Sequence, residues 1–213
     1  MRYLLILLIV FSSCSKSIQS QKEYDKNYIF FLHNMYLETH NDDDTVYKTK
    51  IEYFNVLNSF KKDGFIVISE KRAPKTDGII YAKKVVNQID SLINLGVKSN
   101  HITVIGTSKG GYIAQYVSTF KNNSDINYVF IGSFQETDLE EMPDINFSGN
   151  VLTIYEKSDI YGVSAIKRKE NSTNKINHFK EIELNNGLKH GFLYKALDEW
   201  IEPSKKWAKR DYN

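Results

Sequence analysis

A single cysteine, Cys14, excludes an internal disulfide, so whatever this chain builds must stand on its hydrophobic core. Proline is scarce as well: three in 213 residues punctuate the chain without forming a linker, and no internal repeat is visible. Neither sign of charge dominates. The 28 Lys and Arg residues face 26 Asp and Glu for a formal net charge of +2, and the basic residues are scattered. Their densest group, Lys205, Lys206, Lys209 and Arg210, reads as the solvated face of a last helix, so no nucleic-acid partner is expected. The apolar run Tyr3 to Phe11 has nine residues, too few to cross a bilayer.

That run follows Met1-Arg2 and precedes Ser12-Ser13, the order of a secretory leader: basic start, apolar stretch, small residues. The string Phe11-Ser12-Ser13-Cys14 resembles a bacterial lipoprotein processing box, with Phe where that family usually carries Leu. The resemblance implies that residues 1–13 are a signal peptide and that Cys14 becomes the lipid-bearing first residue. The protein would then be an exported lipoprotein, anchored to a membrane of the bacterial cell envelope. Simple secretion, with Cys14 lost or left as a spare thiol, is the alternative. Residues 14–23 are polar and featureless, as a tether would be. Residues 24–213 are enough for one domain and hardly enough for two.

Within that domain, apolar runs of strand length alternate with helical periodicity. Strands are expected at Tyr28–Leu32, Phe65–Ser69, His101–Ile105, Ile126–Ile131, Val151–Tyr155 and Phe179–Leu184. Helices are expected over Val46–Lys61, through Ile79 to Ile93 with Gly96 as the stop, over Tyr112–Phe120, and over Phe192–Ile201 with Pro203 as the stop. The pattern predicts an α/β three-layer sandwich: a mostly parallel six-stranded sheet with helices on both faces. Ligands collect at the carboxyl ends of such strands. Polar residues recur there, at His33-Asn34, Glu70-Lys71-Arg72, Thr107-Ser108 and Glu156 to Asp159.

One of these ends carries a motif. Gly106-Thr107-Ser108-Lys109-Gly110 satisfies G-x-S-x-G between a buried strand and a helix, where flanking glycines let a tight turn lift the serine oxygen clear. A phosphate-binding loop fails on order, since Lys109 precedes its glycines. A structural turn with an unreactive serine is the remaining alternative. A nucleophilic serine needs a base. Of five histidines, His101 and His178 lie at the starts of strands and His40 in a loop, whereas His190 follows the last strand between Gly187 and Gly191, on a loop able to swing over Ser108. The imidazole needs a carboxylate partner. Asp159, on the loop after Val151–Tyr155, is preferred to Glu156, with Glu136 and Asp138 as reserves.

The order Ser108, Asp159, His190 is that of the α/β-hydrolase family, and residues 24 to 202 resemble a small member without a large lid, because Phe134 to Asn150 is too short for one. The chain also resembles a branch of bacterial hydrolases with "VISE-R" before the elbow, here Val67 to Arg72, and "SKG" at it, here Ser108-Lys109-Gly110. The resemblance implies an oxyanion hole made by the backbone amide of Lys109 and one from the His33-Asn34-Met35 turn. Family members often carry His-Gly there, and Asn34 holds the glycine place. Glu70 and Arg72 either pair with each other or, with His33, bind a polar group of the substrate. Residues 38–44 (ETHNDDD) could be cation ligands, but a capped helix start and a solvated loop explain them, and neither metal nor cofactor is expected. The expected activity is hydrolysis of a small ester, with amide or thioester as variants, through an acyl-serine intermediate. A non-catalytic envelope binding lipoprotein and an acyltransferase are the alternatives.

Overall fold

The first strand, Tyr28–Leu32 (β1), is apolar and buried at every position, as a strand covered on both faces must be. Its alternate residues enter different cores: Ile29 and Phe31 join one apolar cluster, and Tyr28, Phe30 and Leu32 join another. The computed structural model describes residues 25–41, 44–46 and 49–213, apart from the side chains of Val46 and Thr49. The expected signal peptide, Cys14 and the tether therefore lie outside the described residues, as do Asp42 and Asp43 of the acidic segment and Tyr47.

After β1 the chain forms a small antiparallel pair, Thr45–Val46 (β2) and Thr49–Lys50 (β3). Then follow Tyr53–Lys62 (α1), Ile66–Ile68 (β4), Gly78–Asn94 (α2), Ile102–Thr107 (β5), Lys109–Lys121 (α3), Asn127–Ile131 (β6) and Asp138–Glu141 (α4). Gly149–Glu156 (β7), Ile166–Asn171 (α5), Ile176–Leu184 (β8) and Asp198–Ala208 (α6) complete it. Six strands make one sheet in the order β4-β1-β5-β6-β7-β8, and every pairing in it is parallel. Val56, Leu57 and Phe60 of α1 and Trp200, Ile201 and Trp207 of α6 pack on one face. Ala82, Val85 and Ile89 of α2 and Ile113, Ala114 and Val117 of α3 pack on the other. This is the three-layer α/β sandwich, with its main sheet wholly parallel.

Two helices differ from the sequence expectation. The pattern over Val46–Lys61 is helical only from Tyr53, because what precedes it is held elsewhere. The Ile51 amide donates to the Asp44 carbonyl at 3.0 Å, and the Glu52 amide donates to the Tyr194 carbonyl at 2.8 Å. At the other end, Phe192–Ile201 is not one helix, and Pro203 stops nothing. Lys189–Tyr194 is a 3-10 turn, and α6 starts at Asp198 and runs through Pro203. The proline forgoes one backbone hydrogen bond, but burial of Trp200, Ile201, Trp207 and Ala208 against the sheet holds the helix on both sides of it. Full burial of one such side chain stabilises by ~1.5–3 kcal/mol, comparable with the ~3 kcal/mol penalty of an interior proline.

The sheet places the site. Chain direction across it reverses between β1 and β5, which are neighbours with Leu32 opposite Gly106. Thr107 lies opposite Ile131, and Glu156 opposite Leu184. With strand ends in register, the loops after β1, β5, β7 and β8 emerge on one rim, next to the switch point where parallel sheets open a crevice.

Candidate active site

Ser108 stands between β5 and α3 with φ 50° and ψ −122°, a backbone state that costs a non-glycine residue ~1–3 kcal/mol. The surroundings enforce it. The Ser108 amide donates to the Ile131 carbonyl at 2.9 Å, and its own carbonyl accepts the Gly111 amide at 2.7 Å. Close packing supplies the rest. A Cβ on Gly106 would collide with the Gly110 carbonyl, and one on Gly110 would collide with the carbonyl oxygens of Leu32 and His33. The two glycines thus let α3 start directly against β5 and β1.

His190 and Asp159 come to that serine from two other loops. The His190 Nε2 lies 3.0 Å from Ser108 Oγ, and its Nδ1 lies 2.7 Å from Asp159 Oδ2. With Nδ1–H donating to the carboxylate, Nε2 is free to accept the serine proton. The Asp159 side chain is fully buried, and its second oxygen accepts the Tyr161 amide at 2.9 Å, which fixes the carboxylate plane. The imidazole is one-fifth exposed, and Tyr161 meets it edge-on with ring centroids 5.4 Å apart. His190 lies within the 3-10 turn Lys189–Tyr194, already in contact, so no loop swing is required.

Glu156 is not an alternative acid for His190. It is buried beneath the loops, where it accepts the Ser158 amide at 2.7 Å, the Ser158 hydroxyl, and the Gly187 amide at 3.0 Å. Burial raises its carboxyl pKa, but these donors outweigh burial and leave it below the usual carboxylate range. The reserves are engaged too. Asp138 accepts the Tyr112 hydroxyl at 2.8 Å and the Gln135 amide at 2.7 Å, and Glu136 pairs with Lys167 at the surface.

The turn after β1 corrects three expectations. Arg72 does not pair with Glu70, and neither Arg72 nor His33 is open to a substrate, because both are buried inside the fold. Arg72 Nε lies 3.0 Å from Glu38 Oε1, its Nη2 donates to the His33 carbonyl and, at 3.2 Å, to that of Asn34, and its amide donates to His33 Nε2 at 2.9 Å. His33 therefore carries its proton on Nδ1, 2.6 Å from the Asn34 carbonyl. Burial above all, with the Arg72 charge next, holds the His33 pKa down at about 4. Glu70 instead faces Lys84 and Tyr81 on the surface. Glu38, read from sequence as part of a solvated acidic loop, is buried and takes both Arg72 and, at 2.8 Å, Lys109 Nζ.

The serine opens into a cleft of about 610 Å³. Tyr36, Tyr112, Tyr161 and Tyr194 line it with Gln135 and Met35, and no lysine or arginine does so among the described residues. Tyr112 had a sequence signal: it stands four residues after Ser108, in the first turn of the helix that follows, and its amide donates to the Ser108 carbonyl at 3.1 Å. Tyr36 and Tyr194 had none. A second groove of about 290 Å³ runs between β8 and α6, past Lys180, Glu202 and Trp207, and touches none of Ser108, His190 or Asp159.

No protein-family model and no curated protein matches the chain. Solved structures do. SOBER1 of Arabidopsis thaliana superposes with a TM-score of 0.55 at 13% identity, over 88% of this chain and 100% of that one. A dienelactone hydrolase from Anabaena variabilis gives 0.55 at 14% identity over 88% of each chain. A lipase-esterase related protein from Clostridium acetobutylicum gives 0.55 at 15% identity, over 86% of this chain and 96% of that one. At such identities the likeness is one of fold, and the fold is that of the α/β-hydrolases.

Proposed function

We propose that this chain is a serine hydrolase that cleaves small esters through an acyl-serine intermediate. The observation that carries the reading is the continuous contact from Ser108 Oγ to His190 Nε2 at 3.0 Å and from His190 Nδ1 to Asp159 Oδ2 at 2.7 Å, at the wall of the tyrosine-lined cleft. Ser108 attacks the ester carbonyl while His190 takes its proton, and Asp159 stabilises the imidazolium that results. The oxygen that becomes negative is met by the Lys109 amide, which as first residue of α3 has no intrahelical acceptor, and by an amide of the Asn34-Met35 turn. His190 returns the proton to the departing alcohol, then activates the water that releases the acid.

A dienelactone hydrolase and a lipase-esterase related protein share this fold, which is consistent with ester chemistry on it. The Phe11-Ser12-Ser13-Cys14 string supports anchorage of the domain to an envelope membrane through lipidated Cys14.

A fluorophosphonate probe tests the reading. Covalent labelling of the wild type, absent in Ser108→Ala and strongly reduced in His190→Ala, is the expected result. A folded wild-type protein that stays unlabelled would overturn it in favour of a binding lipoprotein.

A further inference from the structure

The two amides assigned to the oxyanion hole belong to separate elements, one to the turn after β1 and one to the start of α3. Their separation is bounded on the near side by sterics, since the Cα of Gly110 already packs against the carbonyls of Leu32 and His33. On the far side, Glu38 links the two elements. Its carboxylate accepts Arg72 Nε on one oxygen at 3.0 Å and Lys109 Nζ on the other at 2.8 Å. Arg72 is itself bonded to the carbonyls of His33 and Asn34, and Glu38 is bonded through its own amide to the Met35 carbonyl at 3.0 Å. The Leu37 amide also reaches Asn34 Oδ1 at 3.3 Å.

We propose that Glu38 is a positioning residue that holds the two halves of the oxyanion hole at a fixed distance by gripping the Lys109 side chain from the β1 turn. This rests on the serine-hydrolase reading above. The cost of the arrangement argues for a purpose. Burying a carboxylate demands full compensation, and apolar residues in place of the whole Glu38–Arg72 pair would pack at no higher cost. Arg72 alone already gives Glu38 an ion pair, yet the chain brings a second cation to it from the residue next to the nucleophile.

Electrostatics and positioning make opposite forecasts. Glu38 is an anion close to the place where negative charge develops, so if its field were what mattered, Glu38→Gln would speed the reaction. As a brace, its loss slows it. Ester turnover would be measured for the full domain as wild type, Ser108→Ala, Glu38→Gln, Lys109→Met, Lys109→Arg and the Glu38→Gln/Lys109→Met double variant, each with a thermal melt. Lys109→Met keeps the backbone amide and the Glu38–Arg72 pair, which makes it informative if Glu38→Gln fails to fold.

The expected result is a fall in kcat of about tenfold or more for each single variant, with KM within about threefold, since losing an oxyanion donor outright costs ~10²–10³. The double variant should be no slower than the slower single, and Lys109→Arg should recover most of the rate. Single variants within twofold of wild-type kcat, a faster Glu38→Gln, or additive losses in the double would overturn the brace while Ser108-dependent turnover persists. Turnover that survives Ser108→Ala would overturn it together with the functional reading.

Discussion

The Glu156 carboxylate accepts the Gly187 amide at 3.0 Å, so the loop that carries Asp159 and the loop that carries His190 are tied together beneath the site. The same carboxylate holds the Ser158 amide at 2.7 Å, one residue before Asp159. Replacing it by the isosteric amide puts an N–H against one of these donors. Glu156→Gln is expected to lower stability by ~1–3 kcal/mol, read as a reduced urea midpoint with an unchanged slope.

Asp159 faces His190 with one oxygen and the Tyr161 amide with the other. Asp159→Asn keeps the shape but offers an N–H or a neutral oxygen to the imidazole, so the tautomer with Nδ1–H is no longer favoured. A fall of ~10³–10⁴ in kcat is expected, against a thermal midpoint close to wild type. Hydrolysis of p-nitrophenyl acetate followed beside the melt measures both, and a loss below tenfold would count against the assigned acid.

His33 sets a pH dependence on stability. Its folded pKa of about 4 lies below the ordinary histidine value of 6.5, so between these values the unfolded chain binds the proton that the folded one refuses. Stability contributed by the neutral ring is therefore complete above pH ~6.5 and is lost as pH falls toward 4, with ~3 kcal/mol at stake. The groups facing it are Arg72, Glu38 and Lys71, and of these Arg72 and Lys71 reinforce the depression while Glu38 opposes it. Urea midpoints at pH 7, 6 and 5 should decline, and His33→Gln should flatten that decline.

Two glycines separate crowding from strain. At Gly110 a methyl group would strike the backbone oxygens of Leu32, at the end of β1, and of His33 after it, whereas at Gly187, with φ 72°, it would meet open space. Gly110→Ala is expected to cost ~3 kcal/mol or more and to push α3 off the sheet. Gly187→Ala should cost only ~1 kcal/mol for its left-handed backbone. Equal thermal shifts in the two variants would contradict this contrast.

Much of the architecture was legible because it is written locally. Continuous apolar runs such as Tyr28–Leu32 and Ile102–Ile105 mark strands buried on both faces, and the interval from Ile79 to Ile93 marks one helix face. Helix ends were less so. Glu52 stops α1 from starting earlier because the Tyr194 to Ala196 segment takes its amide and carboxylate, and no window around residue 52 contains those partners. Pro203 misled for a related reason: its local penalty is offset by packing of Trp200 and Trp207, which only the folded sheet supplies.

By itself the sequence determined an α/β chain with a serine in a glycine-flanked turn, and it named an aspartate and a histidine on later loops, because strand periodicity and turn chemistry depend on neighbours within a few residues. Only the tertiary structure decided which charged groups lie inside. Glu38, Arg72 and Lys109 are separated by 34 and 37 residues of chain, yet they meet at one carboxylate once the parallel register of β1, β4 and β5 brings their loops to the same rim. Burial of an ionised side chain depends on partners brought from a distance, and a sequence states which residues are charged but not which of them will find each other.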